Sequence, residues 1–222
     1  MICVPIIAKN TEEAFDKISR ANALADMMEF RLDLMQSFRL EDMLRWAAKP
    51  AIVTYRSEEQ GGKGRDGYEA QTRYLLEAME MGAAFVDMEY TMPPEFRGML
   101  CQVKNASRLI ISRHHPNGTP SRERLEEEFR NLAATGAHIV KIVTRATKTE
   151  DNLPVLDLIP FARNLGNKIV AFCMGPMGRL SRIASPLLGA YLTFGCLEQG
   201  EESADGQMPV TKMRNLMEAL TG

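Results

Sequence analysis

Short apolar runs alternate with amphipathic stretches along the whole chain, a pattern typical of parallel β-strands joined by crossover helices. The candidate strands are residues 2–7, 28–33, 51–55, 85–89, 109–112, 139–143, 169–174 and 192–196. Apolar residues recur at helical spacing between them, for example in residues 11–26, 68–81, 121–135 and 151–164. Eight such units in 222 residues predict an α/β chain that folds as a single-domain (β/α)8 barrel over residues 1–222.

Glycine and proline mark the expected helix ends. Gly82, Gly136 and Gly166 follow three of the amphipathic stretches, where glycine adopts the left-handed conformation that ends many helices. The seventh predicted helix covers residues 181–185, and Pro186 is expected to cut it short. An open, doubly wound sheet is the alternative architecture, but the Gly-x-Gly-x-x-Gly turn expected after its first strand is missing.

The near balance of basic and acidic residues limits the classes of binding partner that are expected. The chain has 27 basic and 29 acidic residues, so it offers no broad basic field to nucleic acid or to an anionic membrane. A small molecule is therefore the expected partner. The four cysteines are scattered and form no Cys-x-x-Cys pair, which favours a reducing, cytoplasmic setting. Neither a secretion signal nor an apolar run of membrane-spanning length is visible.

Lys141 lies in the middle of the apolar run 139–143, which is expected to be a buried parallel strand. Burial of an unpaired ammonium group is costly, and desolvation together with nearby arginines favours the neutral amine. A neutral amine is a nucleophile for carbonyl carbon. The alternative is a lysine that reaches the strand end or pairs with a carboxylate.

Polar residues recur at period two on one face of several predicted strands, near the ends where a barrel builds its active site. This set consists of Glu29, Arg31, Asp33, Thr54, Arg56, Asp87, Glu89, Ser112, His114, Lys141 and, after the seventh strand, Arg182. Four cations and four anions balance within it, so the set can be buried through mutual pairing. A structural layer of salt bridges is therefore the alternative interpretation, above all for Asp33 and Asp87.

Histidine supplies the candidate acid–base group. His114 is expected just past the fifth strand, and an intrinsic pKa of about 6.5 suits proton transfer at working pH. Taken alone, either His114 or its neighbour His115 fits a surface or capping residue better than a catalytic one. His138 precedes the sixth strand and is expected at the opposite end of the barrel, so it receives no chemical role. Two glycine-rich segments, residues 61–67 and 198–206, could close over a ligand.

Taken in chain order, these motifs resemble the type I 3-dehydroquinate dehydratases from the second strand to the end of the chain. Residues 29–33, Glu-Phe-Arg-Leu-Asp, are similar to the family's Glu-x-Arg-x-Asp strand. The other matching segments are Thr54-Tyr55-Arg56 with Gly61-Gly62, Asp87-Met88-Glu89, His114 with Thr119-Pro120, Lys141, Met174-Gly175 with Ser181-Arg182, and Ser203-Ala204-Asp205-Gly206-Gln207. The last of these looks like the closing lid of the family.

The resemblance implies a lyase of the shikimate pathway that dehydrates 3-dehydroquinate to 3-dehydroshikimate. It implies that Lys141 forms a Schiff base with the substrate and that His114 is the general acid and base, so that no metal or organic cofactor is required. The implied substrate-binding residues are Glu29, Arg31, Arg56, Arg182, Ser203 and Gln207, with Glu89 in a supporting role. Arg182 is implied as the partner of the substrate carboxylate, and the family suggests a homodimer.

Three residues depart from the family pattern. Asp205 replaces the usual proline of the lid, so a looser lid is expected. Gln60 stands where many members have glutamate, and Pro5 occupies a position where some have serine. These changes concern contacts with substrate hydroxyls and leave Lys141 and His114 untouched.

Two other functions fit part of the pattern. A class I aldolase or transaldolase also uses a barrel lysine imine but acts on a sugar, and residues 175–178, after the seventh strand, could hold a sugar phosphate. The single Arg182 is better suited to a carboxylate. A non-catalytic barrel that binds a small acid, with the charged interior serving for recognition alone, is the second alternative.

Overall fold

The computed structural model describes residues 1–103 and 107–222. Within these residues, eight parallel strands alternate with eight α-helices. The strands are β1 (Ile2–Ile6), β2 (Met27–Arg31), β3 (Ala51–Thr54), β4 (Phe85–Glu89), β5 (Arg108–His114), β6 (Ile139–Arg145), β7 (Ile169–Met174) and β8 (Thr193–Phe194). The helices are α1 (Thr11–Leu24), α2 (Leu40–Trp46), α3 (Tyr68–Glu80), α4 (Pro94–Gln102), α5 (Arg122–Ala133), α6 (Asn152–Asn164), α7 (Arg179–Leu187) and α8 (Val210–Thr221).

The strands pair in chain order around a ring. The sheet runs β7-β6-β5-β4-β3-β2-β1-β8, so the first strand pairs with both the second and the last. The backbone N–H of Tyr191, just before β8, donates to the carbonyl of Ile169 in β7 at 2.7 Å. The sheet therefore forms a nearly closed (β/α)8 barrel, as predicted, and the open, doubly wound alternative is wrong.

Apolar residues pack on both faces of this sheet. Alternate strand residues, such as Met28 and Phe30 of β2, pack outward against helix residues such as Ile18. The inward residues form a separate apolar floor, made of Cys3, Met27, Ile52, Phe85, Ile110, Ile139, Val143, Val170, Phe172, Leu192 and Phe194. Because side chains on one face recur every second residue, the residues that follow this floor toward the strand ends line the mouth of the barrel.

The predicted helix ends are partly confirmed. Gly82, Gly136 and Gly166 have φ angles of +86°, +87° and +76°, which allow the chain to leave each helix in the left-handed conformation. The prediction that Pro186 cuts the seventh helix short is wrong, because α7 continues through this residue to Leu187. Proline cannot bond the carbonyl four residues before it, and the hydroxyl of Thr193 donates to that carbonyl, of Arg182, at 2.9 Å instead.

Two candidate residues lie in different elements from those predicted. β5 extends through His114, so this histidine lies in the strand rather than past it. Asp33 lies in a short 3-10 turn, Leu32–Leu34, rather than in β2. No helix within residues 1–103 and 107–222 is long and apolar enough to cross a membrane.

Candidate active site

The carboxyl ends of the strands surround a cavity that contains most of the predicted site residues. Its wall includes Glu29, Arg31, Arg56, His114, Lys141, Arg182, Ser203 and Gln207. Glu89 lies beside this wall and bonds to Arg56 rather than facing the cavity itself. The period-two pattern therefore predicted which face of each strand points into the barrel mouth, whereas Ser203 and Gln207 were implied by the family resemblance alone.

Asp87 is the buried centre of a layer of charges directly above the apolar floor. Its Oδ2 accepts a hydrogen bond from Lys141 Nζ at 2.8 Å, and its Oδ1 lies 2.7 Å from Arg56 Nη2. Burial opposes the ionised form, but Arg56 and Lys141 together hold the pKa of Asp87 well below its usual value. Asp87 is therefore a carboxylate shared by two cations.

Lys141 is buried, with 5% of its surface exposed, and it points into the barrel mouth. Besides Asp87, the carboxylate of Glu29 lies 3.6 Å from Lys141 Nζ, and the ring of Phe194 is centred 4.5 Å away. The expectation of a lysine without a fixed partner is thus wrong. Glu29 of β2 and Asp87 of β4 reach Lys141 across the interior of the barrel, so an ammonium group there is paired rather than isolated.

Arg56 and Arg31 are also paired. Arg56 Nη1 donates to Glu89 Oε1 at 3.1 Å and to Ser112 Oγ at 2.9 Å. Burial opposes the charge, but Asp87 and Glu89 raise the pKa of Arg56 above its usual value. Arg31 makes a two-bond contact of 2.8 Å and 2.8 Å with the carboxylate of Asp33. These contacts fix the position of both guanidinium groups at the wall of the cavity.

His114 follows Ser112 at period two in β5, and Ser112 lies opposite Lys141 in the register of β5 and β6. His114 and Lys141 therefore face the same cavity from adjacent strands. The backbone N–H of His114 donates to Gln60 Oε1 at 2.8 Å. Its Nδ1 is buried, and no group in the described part of the chain bonds to it.

The pKa of His114 lies well below its usual value. Burial is the largest cause, and the cations Arg56 and Lys141 lower it further, while Asp87 opposes them. The imidazole is therefore neutral at neutral pH and can accept a proton. The other histidines lie elsewhere: His115 Nε2 is 2.7 Å from Glu128 Oε2, and His138, as predicted, lies at the opposite end of the barrel.

Arg182 differs from the other cations of the site. It is buried, its guanidinium carbon lies 4.5 Å from the centre of the Phe172 ring, and it forms no salt bridge within residues 1–103 and 107–222. It donates instead to the main-chain carbonyls of Asp205 at 3.1 Å and Phe194 at 3.4 Å. Burial lowers the pKa of Arg182 to about 10, which leaves it charged at neutral pH.

The lid segment, residues 198–207, covers this side of the cavity. Ser203 and Gln207 line the cavity and bond to each other: Ser203 N donates to Gln207 Oε1 at 2.8 Å, and Gln207 Nε2 donates to Ser203 Oγ at 3.0 Å. The carboxylate of Asp205 lies 3.0 Å from Arg145 Nη2. A looser lid stays a prediction, but Asp205 has a partner that the sequence did not indicate.

Several cavity residues were not among the predicted ones. Phe172 and Met174 follow Val170 at period two, so the alternation already indicated that they point inward. They are apolar, and only polar side chains were predicted to form the site. Phe194 lies on the short strand β8. Gln60 stood out in the sequence as a departure from the family pattern, and no local pattern indicates its bond to the backbone of His114.

Comparison with known proteins decides the family. A family model described as type I 3-dehydroquinase matches residues 2–222. The chain belongs to the type I 3-dehydroquinase family. The 3-dehydroquinate dehydratase of Thermococcus gammatolerans is 37% identical over 222 residues, which cover 100% of both chains. That of Syntrophobacter fumaroxidans is 35% identical over 227 residues, which cover 98% of this chain and 95% of the relative.

A solved structure supports the same assignment. The 3-dehydroquinate dehydratase from Geobacillus kaustophilus HTA426 superposes with a TM-score of 0.87 at 28% identity, covering 99% of this chain and 90% of that one. As a member of this family, the chain is a lyase, a 3-dehydroquinate dehydratase of the shikimate pathway. Neither the aldolase alternative nor the non-catalytic barrel fits this assignment.

Proposed function

We propose that the chain dehydrates 3-dehydroquinate through an imine between Lys141 and the C3 ketone of the substrate, with His114 as general base and acid. The observation that carries the proposal is that Lys141, His114 and Arg182, a cation without a salt bridge among the described residues, line one cavity. A nucleophile, a neutral base and a carboxylate partner are the groups that this reaction needs.

The acids beside Lys141 have a role in this scheme. The ammonium group first passes a proton to the neutral imidazole of His114, and the free amine adds to the ketone carbon to give a carbinolamine. The hydroxyl of the carbinolamine then leaves as water with the proton that the imidazolium returns. The resulting iminium carries the same positive charge at nearly the same point as the ammonium did. Asp87 at 2.8 Å and Glu29 at 3.6 Å therefore stabilise the charged intermediate after it forms.

His114 then moves protons during elimination. Its neutral imidazole removes a proton from C2, and the electron pair of that bond moves toward the iminium nitrogen, giving an enamine. The enamine expels the C1 hydroxyl, which leaves as water with the proton now held by the imidazolium. Hydrolysis of the product imine releases 3-dehydroshikimate and restores the amine. The low pKa of His114 supports this scheme, because the base form is present at neutral pH.

The remaining residues orient the ring of the substrate. Arg182 is proposed to bind the carboxylate, because its guanidinium is buried, charged and free of any salt bridge in the described residues. Ser203 and Gln207 lie on the same side and can donate to that carboxylate or to a hydroxyl. Glu29, Arg31 and Arg56 line the opposite wall and are proposed to hold the substrate hydroxyls, with Glu89 supporting Arg56.

Trapping of the imine tests this proposal. The protein is incubated with 3-dehydroquinate and sodium borohydride, and the adduct is located by peptide mass spectrometry. We expect a reduced adduct on Lys141, none in Lys141→Ala, and a normal adduct in the matched control Lys168→Ala, since Lys168 lies next to Tyr191 before β7. An adduct that persists in Lys141→Ala would refute the imine assignment. Sugar phosphates are expected to give no adduct.

We also propose that residues 1–222 act as one catalytic domain and form a cytoplasmic homodimer. Pairing of β1 with β8 places both ends of the described fold in one barrel, and all four cysteines are free, as in a reducing compartment. The exposed Met81, Met99 and Met177 offer adaptable apolar contacts for a second copy. Light scattering after size-exclusion chromatography is expected to give twice the mass of one chain, and a monomer mass would refute the dimer.

A further inference from the structure

The guanidinium of Arg182 is held in place by few bonds. Its Nη2 donates to the carbonyl of Asp205 at 3.1 Å, while the bond from Nη1 to the carbonyl of Phe194 is long, at 3.4 Å. Its Nε is buried, and no partner for it lies within the described residues. The direction in which this cation points therefore depends largely on the backbone of the lid segment at Asp205.

Asp205 is in turn held from two sides. Its carbonyl also accepts from the backbone N–H of Gly175 at 3.1 Å, and its carboxylate accepts from Arg145 Nη2 at 3.0 Å. The next residue, Gly206, has a φ of +83°, and a Cβ there would lie 2.2 Å from the carbonyl of Gly175. Glycine lets the lid approach the loop after β7 this closely, and the ion pair holds the adjoining residue against the barrel.

Arg145 connects the lid to the loop that follows His114. Besides the contact with Asp205, its Nε donates to the carbonyl of Pro116 at 2.8 Å, and its backbone N–H donates to the carbonyl of Gly118 at 3.2 Å. Arg145 lies four residues after Lys141, at the end of β6. It therefore joins the loops after β5 and β8 from a position on the rigid strand that carries Lys141.

The start of the lid segment is attached separately. Glu198 lies 2.7 Å from Arg20, and Glu201 lies 3.2 Å from Lys17, so α1 holds this end of the segment. The contact between Arg145 and Asp205 lies at the other end, next to the cavity. A change at Asp205 can thus alter the position of Arg182 while the attachment to α1 stays intact.

We propose that Arg145 and Asp205 are positioning residues for the reaction: their ion pair holds the carbonyl of Asp205 where it orients Arg182 toward the substrate carboxylate. This inference rests on the proposed role of Arg182 as the carboxylate partner. The competing explanation is an exposed ion pair without functional effect, since the side chains of Arg145 and Asp205 are 35% and 63% exposed. The two explanations differ in what they predict for substrate affinity.

Neutral variants of Asp205 separate the two explanations. Asp205→Asn and, as a second neutral variant, Asp205→Ser are expected to raise KM about two- to five-fold, the range that exposed ion pairs contribute, with kcat unchanged. Asp205→Glu keeps the charge and is expected to restore KM toward the wild-type value. The matched control is Asp157→Asn, which removes an exposed pair with Arg122, 3.1 Å long, on the outer helices; its KM should equal that of the wild type.

A double-mutant cycle shows whether the effect runs through Arg145. In an Arg145→Met background, Asp205→Asn is expected to cause no further change in KM, because the pair is already absent. Added sodium chloride should raise the KM of the wild type more than that of Asp205→Asn. A wild-type KM in Asp205→Asn, a full Asp205→Asn effect in the Arg145→Met background, or a fall in kcat at constant KM would each overturn the inference. Thermal unfolding of every variant checks that the fold is retained.

Borohydride trapping on the same samples separates failure of this inference from failure of the proposed function. If the wild type forms the Lys141 adduct and Asp205→Asn binds substrate normally, only the positioning role is refuted. If the wild type forms no adduct, the proposed mechanism itself is refuted.

Discussion

The buried cations on the two sides of the barrel mouth have different kinds of partner. On the side formed by β2 to β6, Arg31, Arg56 and Lys141 each contact at least one carboxylate within 2.7–3.1 Å. On the side formed by β7 and β8, Arg182 lies over an aromatic ring and bonds to main-chain carbonyls. Carboxylates on the first side neutralise its cations, whereas the buried Arg182 on the second side has no anion beside it among the described residues.

The difference follows from what the strands supply at the same level of the barrel. β2 and β4 present Glu29 and Asp87 directly above the apolar floor, whereas on β7 and β8 the floor itself extends to this level through Phe172 and Phe194. A buried ion pair fixes geometry but adds little net stability. A buried cation without a partner lowers stability and gains most from an anionic ligand. The paired side is therefore suited to hold the reacting groups, and the unpaired side to recognise the carboxylate.

The largest effect on turnover is expected for His114, the proposed acid–base group, which faces the cavity from β5. His114→Ala should lower kcat by roughly 10²–10⁴-fold, the range typical of general acid–base residues, while the Lys141 adduct still forms slowly. Steady-state kinetics by enone absorbance measures the first effect, and borohydride trapping measures the second. His115→Ala is the control and should keep near wild-type turnover. Normal turnover in His114→Ala would assign the acid–base role to His115.

Removal of one charge is expected to lower stability more on the paired side than on the unpaired side, because it leaves other buried charges without their partner. Asp87→Asn removes the anion shared by Arg56 and Lys141, so the free energy of unfolding should fall by about 3–5 kcal/mol. Arg182→Met, which removes an unpaired buried charge, should leave this free energy unchanged or raise it. Urea denaturation of both variants measures the contrast. Equal losses of stability would contradict the distinction between the two sides.

Arg182, on the unpaired side, is expected to contribute more to substrate affinity than to stability. Arg182→Met should lower kcat/KM by roughly 10- to 150-fold, which corresponds to the ~1.5–3 kcal/mol of a charged hydrogen bond, and mainly through KM. The same variant should still form the Lys141 adduct at high substrate concentration. A normal KM in Arg182→Met would show that the carboxylate binds elsewhere, with Arg31 and Arg56 as the remaining arginines of the cavity.

The smallest effect concerns pH. The folded chain holds His114 with a lowered pKa, whereas the unfolded chain binds a proton there below about pH 6.5. The unfolded state then carries more protons, so the free energy of unfolding should fall as pH drops below 6.5. Between pH 7.5 and 5.5 we expect it to fall by about 1 kcal/mol more in the wild type than in His114→Asn, measured by urea denaturation. Identical falls would contradict a neutral, buried His114.

Much of this arrangement could be predicted from the sequence, because inward and outward positions alternate along each strand. A period of two is enough to put Glu29, Asp87, Lys141 and His114 on the inner face of the barrel. The same pattern cannot say which of these side chains meet. That depends on the register between strands, such as Thr54 opposite Asp87 and Ser112 opposite Lys141, which is set by the closure of the whole barrel.

The features that the sequence missed depend on distant contacts. Arg145, at the end of β6, and Asp205, in the lid segment, are 60 residues apart, so no local spacing indicates their ion pair. The continuation of α7 through Pro186 requires the hydroxyl of Thr193, which belongs to the next strand. Each of these contacts joins residues from different elements, so the pattern of residues within one element cannot predict it.

A crystal structure of the borohydride-reduced complex with 3-dehydroquinate tests the central difference between the two sides most directly. We expect a bond from Lys141 Nζ to the former ketone carbon, with the substrate carboxylate within hydrogen-bonding distance of the Arg182 guanidinium. A carboxylate bound to Arg31 or Arg56, or an adduct on any other residue, would contradict it.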